Sequence, residues 1–159
     1  MRLKGLVGLF SGGRPSRMSK LLTPLEIATG IQENYIGLTV ATARRYIAED
    51  CVVHEATSLP FGGEWRGPEG FVELMQAIQR TFSNFRFTPA AIVTDHQEQL
   101  AFRGRVSGDT PHGRFDIPFV EYWTCRNGKV CEAFAMWFDT KLVMDLYQGT
   151  HADARGVSL

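Results

Sequence analysis

One glutamate lies in a stretch whose pattern predicts an apolar neighbourhood. Around Glu121, every second residue is large and apolar: Phe115, Ile117, Phe119 and Trp123. Side chains two residues apart on a strand share a face, so Glu121 is expected among these groups. Apolar surroundings disfavour the charged form of a carboxyl and raise its pKa. Glu121 is therefore either an acid whose pKa is raised by an apolar pocket or an ordinary solvated acid at a strand end.

A second candidate acid, Glu55, follows two valines and enters a loop rich in glycine. It could take a proton from the carbon next to a carbonyl, or it could form a salt bridge or end a strand in solvent. Two carboxyls with different pKa values can divide base and acid duties. His54 points to the other face by strand alternation and is expected to be structural, but a bulge would make it an alternative base.

The turn near Asn127 and Gly128 decides what faces Glu121. With a two-residue turn, Glu121 pairs with Phe134. With a three-residue loop over 126–128 and a left-handed Gly128, the register moves by one residue. We expect the three-residue loop, because it leaves room for a ligand beside Glu121. The residues sharing its face would then be Ala133, Ala135, Trp137 and Asp139.

The remaining patterns supply the elements that must position these acids. Thr23, Pro24 and Glu26 have the spacing of a capping box at a helix start. Helical and alternating patterns then predict helices over 24–35, 39–48, 69–81 and 141–148, and strands over 51–56, 86–94, 99–107 and both arms of the hairpin around Asn127. Helices followed by a run of antiparallel strands predict an α+β layer.

Composition narrows the classes of function. The chain has 159 residues with 17 basic and 17 acidic side chains, so neither nucleic acid nor a membrane surface is an expected partner. The three cysteines form no CxxC pair, which favours a reducing, cytoplasmic location. His96 and His112 have no metal-ligand spacing with the nearby aspartates, so we expect neither a metal nor a cofactor.

The chain is expected to form one domain over residues 21–149, with tails at 1–20 and 150–159. The apolar run at 6–10 is too short to cross a membrane. The outward face of the hairpin is also apolar, and an exposed patch of that kind usually binds a partner. We therefore expect a homodimer through the sheet. The residues of this face are Pro118, Val120, Tyr122, Phe134, Met136 and Phe138.

Several short motifs occur in an order that resembles a known superfamily. They are YIAED at 46–50, VHE at 53–55, GGEWRG at 62–67, and later PFVEYW, NGKV, WFDT and LYQG. This order is similar to the nuclear transport factor 2-like superfamily, which includes the SnoaL-like polyketide cyclases and ketosteroid isomerase. The resemblance implies a cone-shaped, curved antiparallel sheet wrapped on N-terminal helices, with an internal cavity and a sheet-to-sheet dimer.

The resemblance also implies roles for individual residues. Glu55 falls at the position of the ketosteroid isomerase base, and Glu121 at that of the protonated acid that binds the oxyanion. Trp137 matches a pocket tryptophan, whereas Tyr35 is only a loose substitute for the family's helix-one tyrosine. The Asp-Arg-Asp set of the related limonene epoxide hydrolase is missing, because Arg105 stands where its first aspartate would be.

The combined expectation is a cofactor-free acid/base enzyme that acts on a small, apolar molecule carrying a carbonyl. Isomerisation, aldol cyclisation and dehydration are the candidate reactions. Trp65, Phe119 and Trp137 would form the pocket walls. Asp139 lies either at the pocket mouth or, as we prefer, at the cap of the last helix. The alternative is a non-catalytic ligand-binding or dimerisation module of the same fold.

Overall fold

The computed structural model describes residues 20–34 and 37–150. Tyr35 and almost all of both expected tails lie outside this range. The helices and strands follow in the order α1 Pro24–Glu33, α2 Val40–Ala43, β1 Ile47–Glu55, β2 Gly63–Arg66, α3 Gly67–Thr81, β3 Ser83–Thr94, β4 Gln99–Thr110, β5 Gly113–Arg126, β6 Lys129–Trp137 and α4 Thr140–Gln148.

The strands form one curved, six-stranded sheet in the order β2-β1-β6-β5-β4-β3. All neighbours are antiparallel except β1 and β6, which are parallel. One face is buried with α1 and α3 against it, and it carries Val106, Phe115 and Ile117. The predicted α+β class with a curved sheet over N-terminal helices is confirmed. None of the described helices is long and apolar enough to cross a membrane.

Helix α1 begins at the predicted capping box. The backbone N–H of Glu26 donates to Thr23 Oγ1 at 3.3 Å, and the backbone N–H of Thr23 donates to Glu26 Oε2 at 2.7 Å. These bonds satisfy N–H groups that have no partner within the helix. The cap fixes where the helix starts and so directs Ile27 and Ile31 into the core.

The second helix is much shorter than predicted. The pattern favoured a helix over 39–48, but α2 ends at Ala43 and β1 already begins at Ile47. A tight turn, in which Tyr46 N–H donates to Ala43 O at 2.9 Å, separates them. Tyr46 is already hydrogen-bonded to β6, because Val130 N–H donates to Tyr46 O at 2.8 Å. Tertiary pairing therefore overrides the local helical pattern.

The hairpin turn was predicted wrongly. Arg126 pairs with Lys129, so the turn has two residues, Asn127 and Gly128, with φ of 53° and 73°. Both angles lie in the left-handed region, as a primed turn requires. Taken alone, this turn would place Phe134 opposite Glu121.

A β-bulge at Cys131 restores the register that the longer loop would have given. Cys125 pairs with Val130, but Thr124 pairs with Glu132, so Cys131 is an extra residue on β6. Beyond the bulge, Glu121 lies opposite Ala135. Glu121 therefore shares a face with Ala133, Ala135 and Trp137 as expected, although the cause is the bulge and not the loop.

Candidate active site

A cavity of about 690 Å³ lies between the concave face of the sheet and helices α1 and α3. Its walls are mainly aromatic and aliphatic side chains from both helices and most strands. The exposed residues Gln32 and Ile92 are at its rim. A concave, mostly apolar space with a few polar groups is the usual form of a small-molecule site. The aromatic residues of the wall are Phe71, Phe85, Phe87, Phe102, Phe119, Trp123 and Trp137.

Both candidate acids line this cavity. Val53 pairs with Ala133 and His54 with Phe134, so the continuing parallel register sets Glu55 beside Ala135. Glu121 lies on the other side of Ala135. The acids thus occupy one row across three strands, with backbones two strand spacings, roughly 10 Å, apart. The methyl group of Ala135 between them leaves both side chains space above the sheet.

Glu55 is the one buried charged side chain among the described residues, with 8% of its surface exposed. The indole Nε1–H of Trp137 donates to Glu55 Oε2 at 3.0 Å. The pKa of Glu55 is raised to about 8, mainly by burial and to a smaller extent by the charge of Glu121. The hydrogen bond from Trp137 acts in the opposite direction but does not offset burial.

Glu121 is half-buried and borders the cavity. Burial among apolar groups raises its pKa to about 7. The indole of Trp123 counteracts part of this rise. The pKa values of two neighbouring carboxyls therefore both lie near neutral pH, where ordinary glutamates are fully ionised.

The structure brings together only some of the residues predicted for the site. Phe119 and Trp137 line the cavity with the two acids. Trp65 does not line it, and its indole N–H donates to Phe61 O at 2.9 Å. Asp139 caps α4 by accepting from Leu142 N at 2.9 Å, which is the preferred of its two expected positions. Tyr35 lies outside the described residues.

His54 lies on the opposite, convex face of the sheet. Its ring stacks on Phe134 with centroids 4.4 Å apart. Its Nε2 is 3.3 Å from Glu132 Oε1, and its Nδ1 is 3.7 Å from Glu64 Oε1. This is the structural position that strand alternation predicted, and no bulge turns the side chain toward the cavity.

Sequence reasoning missed much of the aromatic wall, especially Phe85, Phe87, Phe102 and Trp123. The rings of the last three are in contact: the centroids of Phe87 and Phe102 lie 5.3 Å apart, and those of Phe102 and Trp123 lie 4.9 Å apart. Alternation along β3 and β4 was an available signal, since both phenylalanines of β3 fall on one face. Within residues 20–34 and 37–150, no group of three or more His, Cys, Asp or Glu side chains could hold a metal ion.

Comparison with solved structures supports the same architecture. An NTF2-like protein from Burkholderia thailandensis is 20% identical, with a TM-score of 0.70 over 83% of this chain and 100% of that one. TerC, co-crystallised with polyporic acid, is 16% identical, with a TM-score of 0.67 over 78% and 97%. IdmH, a putative polyketide cyclase from Streptomyces antibioticus, is 23% identical, with a TM-score of 0.62 over 77% and 97%. At these identities the likeness shows the fold alone.

A curved sheet that encloses an apolar cavity with a carboxyl pair defines a small-molecule-binding protein of the nuclear transport factor 2-like fold. The SnoaL-like domain family matches residues 37–133, and the chain belongs to this family. The resemblance inferred from the motifs is thereby confirmed. No curated protein matches the chain.

Proposed function

We propose that the protein is a cofactor-free acid/base enzyme acting on a small, apolar molecule that carries a carbonyl group. The observation that supports this most directly is the pair Glu55 and Glu121 in one apolar cavity. The pKa values of about 8 and about 7 leave roughly one proton on the pair near neutral pH. One carboxylate and one carboxylic acid are then present together, which is the combination that enolisation requires.

The difference in burial between the two acids favours roles opposite to those expected from the sequence. Glu55 is buried and its carboxyl is held by the Trp137 indole, so it is the better neutral hydrogen-bond donor. Glu121 is less buried than Glu55 and borders the cavity, so its carboxylate is the better placed base. We therefore propose Glu121 as the base that removes the proton next to the carbonyl, and Glu55 as the donor to the developing oxyanion.

The ligand class follows from the cavity wall and its size. About 690 Å³ bounded by aromatic rings suits a molecule with a flat, apolar body. One structural neighbour was co-crystallised with polyporic acid, and another is a putative polyketide cyclase. We extend this to the present chain as a proposal that its substrate is carbonyl-bearing and cyclic or ready to cyclise. Isomerisation, aldol cyclisation and dehydration all begin with the same proton removal.

The proposal can be tested without knowing the natural substrate. The probe is 2-tetralone, a bicyclic aromatic ketone whose α-protons exchange with D₂O when a base removes them. We expect the protein to accelerate this exchange, followed by proton NMR, above the buffer rate. Glu121→Gln should reduce the acceleration by about 10²–10⁴-fold, the usual contribution of a positioned base. Glu55→Gln should reduce it less, because an amide N–H can still donate to the oxyanion.

The matched control is Glu73→Gln, which removes an exposed acid from the outer side of α3. It should leave the exchange rate unchanged. A greater loss in Glu55→Gln than in Glu121→Gln would restore the assignment expected from the sequence. Binding of the ketone with no acceleration of exchange would instead support a non-catalytic ligand-binding module.

A further inference from the structure

Trp123 carries the one buried side-chain nitrogen or oxygen that has no hydrogen-bond partner within residues 20–34 and 37–150. The residue is 3% exposed, so bulk water does not satisfy its Nε1–H. Buried polar groups are nearly always hydrogen-bonded, and each exception requires an explanation. The Trp123 indole also lines the cavity, which places the unpaired donor at the candidate site.

Among the strand neighbours of Trp123 on its face of the sheet, one carries a side chain that can accept a hydrogen bond from the indole. Across β4 it lies opposite Leu100, and across β6 opposite Ala133. Its ring packs at right angles on Phe102 at 4.9 Å. Glu121 is two residues away on the same strand face, and the indole is close enough to affect this carboxyl without forming a hydrogen bond of normal geometry.

The other cavity acid, Glu55, already has a hydrogen bond from a tryptophan indole. Glu55 already accepts from Trp137 Nε1–H at 3.0 Å. Each cavity acid is thus accompanied by one tryptophan, but only the Glu55 pair is bonded. The second pair lacks this bond, although side chains two apart on a strand are neighbours on one face and both groups line the cavity.

We propose that Trp123 is a positioning residue for Glu121, and that its indole N–H forms a hydrogen bond to Glu121 when Glu121 is a carboxylate. The bond would hold the ionised carboxyl at one side of the cavity, against the sheet. The consequence for catalysis rests on the proposed function, in which Glu121 is the base. The hydrogen bond itself does not depend on that function and can be tested without a substrate.

The charged surroundings of Glu121 are simple. On the elements packed against it, Glu55 is the titratable group that faces it among the described residues. Arg86 also borders the cavity, but it pairs with Ser107, whereas its neighbour Phe87 pairs with the buried Val106. By alternation along β3, the Arg86 side chain leaves the strand on the face opposite to Phe87. A change in the titration of Glu121 can then be traced to Trp123 or to Glu55.

The experiment is a carbon-13 NMR titration of the glutamate carboxyls in the full chain, comparing wild type with Trp123→Phe. Loss of the N–H should make Glu121 about tenfold harder to ionise, a rise of about one in its pKa. A purely structural role for the indole predicts the opposite sign. The smaller ring would admit water beside Glu121, relieve its desolvation and lower the pKa.

Trp137→Phe is the matched control. It removes the same donor from the other pair, so it should raise the pKa of Glu55. The pKa of Glu121 should then change only through the altered charge of Glu55. If Trp123→Phe fails to fold, replacing Trp123 with benzothienylalanine keeps the ring size and removes only the N–H. An unchanged or lowered pKa of Glu121 in either variant would overturn the proposal.

Discussion

The indole N–H of Trp137 donates to the carboxyl of Glu55 across 3.0 Å, and this bond joins the end of β6 to the end of β1. The two residues are 82 apart in the chain. The Trp137 ring is held from the other side by Phe119, with centroids 5.7 Å apart. A buried carboxyl is thus fixed in orientation by a rigid ring that is itself packed.

Replacing Glu55 with glutamine should stabilise the protein at high pH. The pKa of Glu55 is about 8 in the folded protein and has an ordinary value of 4.5. Between these pH values the unfolded chain releases the proton while the folded protein keeps it, so the free energy of unfolding falls as pH rises. At about 1.4 kcal/mol for each pH interval of one, wild type should lose about 3–5 kcal/mol relative to Glu55→Gln across this window.

Urea unfolding at pH 4.5, 6, 7 and 8 measures this difference. Glu73→Gln, which alters an exposed acid, should follow wild type at every pH. A stability difference between wild type and Glu55→Gln that stays constant across the window would show that Glu55 titrates normally.

Replacing Glu121 with glutamine should lower the pKa of Glu55 below about 8. The negative charge of Glu121 is the second cause of the raised value, after burial, and glutamine removes it while keeping the shape of the side chain. Carbon-13 NMR of the Glu55 carboxyl across pH 4 to 10 gives the value directly. A Glu55 titration identical to that of wild type would mean that the two acids do not interact.

The two-residue turn should be intolerant of a side chain at Gly128. This residue has φ of 73°, and an added Cβ would lie 2.9 Å from the backbone nitrogen of Leu22. Both the left-handed backbone and the close approach make Gly128→Ala unfavourable, by about 1–3 kcal/mol. Urea unfolding at pH 6 measures the loss. Asn127→Gly, at the neighbouring left-handed position, is the control and should change stability by well under 1 kcal/mol.

The convex face of the sheet should form a homodimer. Tyr122, Phe134, Met136 and Phe138 are exposed there, and Phe138 is 81% exposed. An apolar patch of this kind on a sheet face typically marks an interface. We expect a dimer at micromolar concentration by sedimentation velocity, and a monomer after Phe134→Glu.

Leu25→Glu is the matched control for the dimer, because Leu25 is an exposed apolar residue on α1, away from this face. It should sediment like wild type. A monomeric wild-type protein at micromolar concentration would contradict the prediction. So would a Phe134→Glu variant that still sediments as a dimer.

The sequence could predict what depends on local pattern. Alternation along β5 identified Glu121 as an acid on an apolar face, and the spacing of Thr23 and Glu26 identified the start of α1. The order of the motifs identified the family, whose model matches residues 37–133. These features depend on residues that are close in the chain, so they can be predicted without knowing which strands pair.

The sequence by itself therefore determined the fold class, the family and the two acids. Tertiary structure decided their relationship. Only strand pairing revealed that a bulge at Cys131 corrects the short turn and that Ala135 separates Glu55 from Glu121. The raised pKa values of both acids also required the packed structure, because desolvation depends on every chain segment around a carboxyl and not on its sequence neighbours.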